Sequence, residues 1–110
     1  MAKGGIDYIY LETHNKAEAV TFWQSLGFGV VMDIGHAAKL AHADGGTVFV
    51  EQVPADKVLE TRLYLHGDRT ATTTVDPANI VSDWQPSHWD THLRVLSDTD
   101  GRQVVVQDPN

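Results

Sequence analysis

The arrangement of elements constrains this chain most. Residues Ile6 to Glu12 alternate and are rich in Tyr and Ile, which predicts a strand with two differently occupied faces. Asn15 then stands where a helix N-cap belongs, with Glu18 three residues on as its capping-box partner. Ala19, Val20, Trp23 and Leu26 follow at helical spacing, and Gly27 supplies the left-handed stop. FGVVMDIG and AAKLAHA are two short apolar runs divided at Gly35, and Asp44-Gly45-Gly46 turns into TVFVEQV. The order is strand, helix, three strands.

After the surface connection Pro54-Ala55-Asp56-Lys57, ETRLYLH opens a second alternating strand. RTATTTV is expected to be extended, and Asp76-Pro77 reads as the N-cap and first residue of about two helical turns over ANIVSDW. WDTHLRVL, the turn Asp98-Thr99-Asp100-Gly101 and RQVVVQ make a β-hairpin. The element order recurs without literal repetition, so two βαβββ-like modules are expected at about 5–53 and 58–108, within a single domain spanning 1–110.

At 110 residues the chain is long enough for a core without staples. A net charge of −7 disfavours nucleic acid and anionic membrane as partners and attracts cations. The absence of cysteine excludes a thiol nucleophile, a Cys-ligated zinc and disulfides. MAKGGIDYIY lacks the pattern of a secretory signal, and no apolar run reaches membrane-span length, so a cytoplasmic location is expected. Gly4-Gly5 and Gly45-Gly46 do not lie between a strand and a helix start, which argues against nucleotide binding. Ser25, Ser82, Ser87 and Ser97 have no nucleophile-elbow context.

Residues two apart on a strand share a face. One face collects Ile9, Leu11, Phe49, Leu63, Leu65, Val104 and Val106, an apolar set suited to lie under helices. The other collects Tyr8, Tyr10 and Glu12; Val48, Val50 and Gln52; Arg62, Tyr64 and His66; and Gln103, Val105 and Gln107. Aromatic and polar groups mixed in this way suit either a ligand wall or a solvated sheet face. His14, His36, His42, His66, His88 and His92 include no pair spaced as a helical zinc motif. His66 shares its face with Glu12, as a proton carrier or as a half-exposed strand-end histidine. Phe22 and Trp23 are expected to be structural. Trp84 and Trp89 are candidates either to fold over a cleft mouth or to seal the second half or a dimer contact.

YIYLETHN followed by AVTFWQSLGF resembles the opening of the vicinal-oxygen-chelate superfamily, which includes glyoxalase I, extradiol dioxygenases and bleomycin-resistance proteins; F-W-x-x-L-G-F is its commonest signature. HWDTHLRVLSDTDGRQVVVQ is similar to the family's closing hairpin, with Thr99 where its D-P-D-G turn has proline. The resemblance implies an α+β fold in which paired βαβββ modules form a curved mixed sheet around a ligand cleft, and in many members a homodimer. The stretch Asp68 to His88 is shorter than the family's helix plus strand, so the second module is expected to be shortened. The implied cleft residues are Tyr8, Tyr10, Glu12, Val50, Gln52, Arg62, Tyr64, His66, Trp84, Trp89 and Val105.

Metal-dependent members of the family hold a divalent ion from four strand positions, which fall here on Tyr8, Val50, Arg62 and Val105. Valine cannot coordinate, arginine carries a fixed positive charge, and a lone tyrosine is a poor ligand. A one-residue shift in the fourth strand would bring in Glu51, but it would also turn Phe49 toward the cleft, and it is rejected for spoiling the core face. The expectation is therefore no metal and no cofactor, in a binding protein that sequesters an aromatic or cationic compound such as a drug, as in antibiotic resistance. The alternatives are a metal-dependent lyase, isomerase or dioxygenase, and a domain acting through its dimer surface. No catalytic residue is assigned.

Overall fold

A computed structural model of the chain describes residues 5–68 and 75–109. Its elements are β1 (Ile6–Thr13), α1 (Lys16–Ser25), β2 (Phe28–Asp33), β3 (Ala37–His42), β4 (Thr47–Gln52), β5 (Thr61–His66), a 3-10 turn (Pro77–Asn79), β6 (Gln85–Pro86), β7 (His92–Ser97) and β8 (Gln103–Asp108). The fold is α+β. The segment RTATTTV lies outside the described residues apart from Val75. Among the described residues no helix is long and apolar enough to cross a membrane. The chain divides into two compact units, Tyr8–Thr61 and the flanking chain up to Asp7 and from Arg62 onward.

In the unit Tyr8–Thr61 the strands lie in the order β2-β3-β4-β1, with β1 parallel to β4 and the other pairs antiparallel. A parallel pair needs a crossover connection, and α1 with β2 and β3 provides it. The helix starts where expected: Asn15 is extended (φ −144°), and its side chain accepts from the Glu18 N–H at 3.1 Å. It stops at Gly27, whose φ of +97° suits glycine; a Cβ there would also stand 2.7 Å from His42 Nε2. Asn15→Ala is expected to cost about 1 kcal/mol of stability, read from urea unfolding, because an N-terminal N–H of α1 loses its acceptor.

Under α1 lies a core of Ala38, Leu40, Val48 and Val50, against which Ile9, Leu11, Ala19, Val20, Trp23 and Phe28 pack. Trp23 is structural, as expected, whereas Phe22 is exposed and touches Trp23 edge-on with ring centroids 5.6 Å apart.

The faces of β4 correct the sequence reading. Parallel pairing sets Ile9 beside Val48, Tyr10 beside Phe49, Leu11 beside Val50 and Glu12 beside Glu51. Paired residues point the same way. Val48 and Val50 therefore belong to the core under α1, while Phe49 and Glu51 lie on the face of Tyr8, Tyr10 and Glu12. This is the alternation that was rejected for turning Phe49 out of the core. The large aromatic has a half-buried place on the other face, and small valines and alanines suit the surface a helix must approach closely. Gln52 follows Val50 to the helix side, where its Oε1 accepts from the Lys16 N–H at 2.9 Å and satisfies another helix-start donor.

The other unit repeats the pattern, with strand order β5-β8-β7-β6, β5 parallel to β8 and the remaining pairs antiparallel. In place of the expected two-turn helix it has one 3-10 turn. Asp76 does cap it, accepting from the Ala78 N–H at 2.9 Å, with Pro77 in the first turn. Ile80 then turns extended and bridges Leu96, and the N–H groups of Val81 and Ser82 donate to the Val95 carbonyl. β-branched Ile80 and Val81 favour this pairing over another helical turn. With only a 3-10 turn among the described residues of this unit, the expected core residues Leu63, Leu65, Val104 and Val106 are only half-buried, and Tyr64 and Val105 on the opposite face are buried instead, at 6% and 2% exposed.

Candidate functional site

In the unit Tyr8–Thr61, register places Tyr8, Tyr10 and Glu12 of β1, Phe49 and Glu51 of β4, and Lys39 of β3 on one face. Three rings form a row. Phe49 lies between the tyrosines, its centroid 5.7 Å from that of Tyr8 and 6.1 Å from that of Tyr10, the latter pair stacked. The Lys39 ammonium lies 5.1 Å from the Tyr8 ring centroid, within cation–π range.

The row ends in carboxylates. The Tyr10 hydroxyl is 3.0 Å from Glu12 Oε2 and 3.1 Å from Glu51 Oε1, so its single proton is shared between two acceptors. Burial, followed by these hydrogen bonds and the two negative charges, pushes the Tyr10 hydroxyl far above the ordinary tyrosine range. Tyr10 is therefore placed as a neutral donor to these two carboxylates.

Glu12 is the hub beneath that donor. Its side chain is 5% exposed, and Oε1 accepts from Lys57 Nζ at 2.5 Å and from the Glu60 N–H at 3.1 Å. Burial raises the Glu12 carboxyl, but the Lys57 ammonium, the Tyr10 hydroxyl and the Glu60 N–H together hold it below the ordinary value. These bonds, with His14 Nε2 2.8 Å from the Lys57 carbonyl oxygen, tie the 57–60 connection to β1.

In the other unit β5 and β8 bring Arg62, Tyr64 and His66 onto one face with Gln103, Val105 and Gln107, as alternation predicted. Trp89 joins them from the loop before β7, its indole N–H donating to Gln107 Oε1 at 2.6 Å. Trp84 does not. It stacks over the Arg94 guanidinium at 6.0 Å, and Arg94 pairs with Val106 on the opposite side of the sheet. His66 has Asp7 as its carboxylate partner at 3.6 Å, whereas Glu12 is engaged by Lys57, Tyr10 and Glu60.

Sequence reasoning placed Tyr8, Tyr10, Glu12, Val48, Val50, Gln52, Arg62, Tyr64, His66, Gln103, Val105 and Gln107 on one face; register keeps Tyr8, Tyr10 and Glu12 together and moves Val48, Val50 and Gln52 to the helix side, and in the other unit keeps Arg62, Tyr64 and His66 with Gln103, Val105 and Gln107. Sequence reasoning did not bring Phe49, Glu51, Lys39, Lys57 or Asp7 into these groups. The V-x-V of β4 was the available signal, since paired small β-branched residues suit a strand under a helix.

Neither unit by itself offers a divalent-ion donor set at the four positions. In Tyr8–Thr61 register substitutes Glu51 for Val50, but Tyr10 donates to that carboxylate and Tyr8 lies against an ammonium; in the other unit Arg62 is a fixed cation and Val105 has no donor atom. Among the described residues no three His, Cys, Asp or Glu side chains are grouped to hold a metal.

No protein-family model matches the chain, and no curated protein matches its sequence. Among solved structures it is similar to a glyoxalase/bleomycin resistance protein/dioxygenase superfamily member from Vibrio splendidus 12B01, with a TM-score of 0.71 and 12% identity over 98% of this chain and 99% of that one. It is also similar to a protein from Legionella pneumophila described as an NAD-dependent benzaldehyde dehydrogenase, with a TM-score of 0.61 and 11% identity over 92% of this chain and 96% of that one. At such identities the likeness is one of fold. With a strand-helix-three-strand unit followed by a second of the same strand order, this chain has the fold of the vicinal-oxygen-chelate superfamily, shared by glyoxalases, bleomycin-resistance proteins and dioxygenases.

Proposed function

We propose that the protein is a small-molecule binding protein of the glyoxalase/bleomycin-resistance type and that the Tyr8-Phe49-Tyr10 row forms a wall of its ligand site. The observation that carries this reading is the termination of a stacked aromatic row on a hydroxyl flanked by two carboxylates. A planar apolar body suits the rings, and a hydrogen-bond donor or positive group on it suits Glu51. Sequestration of such a compound by a homodimer in the cytoplasm, as in drug resistance, is the physiological form this reading takes.

Calorimetric titration with a panel of small aromatic amines and phenols is the test. Phe49→Ala is expected to weaken binding of the best panel compound about tenfold, since it removes the central ring of the row. Unchanged affinity in the variant would count against this wall. The competing reading, a metal-dependent lyase, isomerase or dioxygenase, draws support from Glu51 on this face; a stoichiometric divalent ion in untagged protein would favour it.

A further inference from the structure

Gln107 links three side chains that the aromatic row does not use, those of Trp89, Thr91 and Asp7. It is 9% exposed, and both ends of its amide are hydrogen-bonded. Trp89 Nε1–H is only a donor, so the 2.6 Å contact identifies its partner as the amide oxygen; that oxygen also accepts from the Thr91 hydroxyl at 3.1 Å. The amide nitrogen must then face Asp7, and it donates to Oδ2 at 3.2 Å. The other Asp7 oxygen, Oδ1, lies 3.6 Å from His66 Nε2, beyond a good hydrogen bond, in a side chain still 24% exposed.

The indole is presented as firmly as the carboxylate. Ser87 Oγ accepts from the N–H groups of Trp89 and Thr91, the Ser87 N–H donates to the Thr91 carbonyl, and the two hydroxyls lie 2.8 Å apart. These bonds hold Asp90 at φ +67°, a left-handed conformation that costs a non-glycine residue roughly 1 kcal/mol or more. With its N–H edge fastened to Gln107 and His88 packed against it edge-on at 4.7 Å, Trp89 remains 43% exposed. A large ring is thus kept partly in solvent by a hydrogen-bonded loop.

We propose that Trp89 and Asp7, held one amide apart by Gln107, form a binding corner for a quaternary organic ammonium group. Such a cation donates no hydrogen bond, so it is recognised by an aromatic face and a nearby carboxylate, and both are ordered here before the ligand arrives. The net charge of −7 adds a favourable field. The proposal rests on none of the residues of the Tyr8-Phe49-Tyr10 wall and stands or falls separately from it.

The test is titration with phenyltrimethylammonium, followed through the Trp89 indole N–H resonance, assigned by its disappearance in Trp89→Leu. The neutral isostere tert-butylbenzene is the control. Saturable displacement of that resonance by the cation, with affinity reduced at least threefold in Asp7→Asn and in Trp89→Leu, is the expected result; in the latter, affinity is read by calorimetry. Gln107→Leu, which frees the indole and the carboxylate while keeping the side chain apolar in its buried place, is expected to weaken binding likewise. Equal binding of the neutral isostere, unaltered affinity in Asp7→Asn, or no response of the Trp89 resonance would each overturn the proposal.

Discussion

Val50→Asp is expected to leave the protein largely unfolded at pH 7. Val50 is 1% exposed and packs with Ala38, Leu40 and Val48 under α1, beside Leu11 in β1 and Ala38 in β3. A carboxylate there loses its hydration and meets only apolar neighbours, which costs several kcal/mol against a total stability of about 5–15 kcal/mol for a domain of this kind. The new carboxyl escapes part of that cost by staying protonated, which raises its folded-state pKa above the unfolded value of about 3.9. A raised carboxyl favours folding least at high pH, so the deficit relative to wild type should grow as pH rises above about 4. Urea unfolding followed by far-ultraviolet circular dichroism at pH 4 and pH 7 measures both effects. A variant as stable as wild type at pH 7 would return residue 50 to an open ligand wall and restore the alternation read from sequence.

Glu12→Gln tests the hub. The substitution keeps the shape but removes the charge that the Lys57 ammonium, the Tyr10 hydroxyl and the Glu60 N–H all address. A hydrogen-bonded, nearly buried carboxylate of this kind is expected to contribute about 1–3 kcal/mol, toward the lower end because Lys57 is 37% exposed and partly screened by water. The pH dependence follows from the direction of the shift. Glu12 titrates below its ordinary value of 4.5 in the folded protein, so its contribution is complete above that value and is lost as pH falls through the lower folded one. The stability difference between wild type and variant should therefore be full at pH 7 and shrink below about pH 4.5. A difference of equal size at pH 7 and pH 3 would mean that Glu12 acts through packing alone. Tyr10 keeps Glu51 as an acceptor in the variant, so the aromatic row is expected to survive.

Features decided within a few residues were legible. Asn15 and Glu18 announced the start of α1, Gly27 its end, and Asp98 with Gly101 the turn between β7 and β8, where Asp98 accepts from the N–H groups of Asp100 and Arg102 and Gly101 takes φ +86°. A cap or tight turn places its donors and acceptors within one short window of chain, so residue identity nearly specifies it. The alternation of β5 and β8 also read correctly, because Arg62, His66, Gln103 and Gln107 mark one face unambiguously.

β4 was different. T-V-F-V-E-Q offers two faces of similar hydrophobicity, and nothing local says whether Phe49 or the valines meet the helix. That choice is made by the parallel pairing with β1, which sets Val48 beside Ile9 and Phe49 beside Tyr10. The same holds for Gln107, which alternation placed on its face but whose role comes from Asp7, Thr91 and Trp89, one hundred, sixteen and eighteen positions away. ANIVSDW carried a helix cap at Asp76 and yet went into a strand-like bridge, because Leu96 and Val95 offered its backbone partners that a short, poorly propagating helix could not match. By itself the sequence determined the elements of the first unit and the closing hairpin, their order and the family they resemble, all set by local bonding and period. Only the tertiary structure decided which side of β4 meets α1, and with it whether the wall beside Tyr10 is Val50 and Gln52 or Phe49 and Glu51, because a strand with two apolar faces takes its orientation from its neighbours.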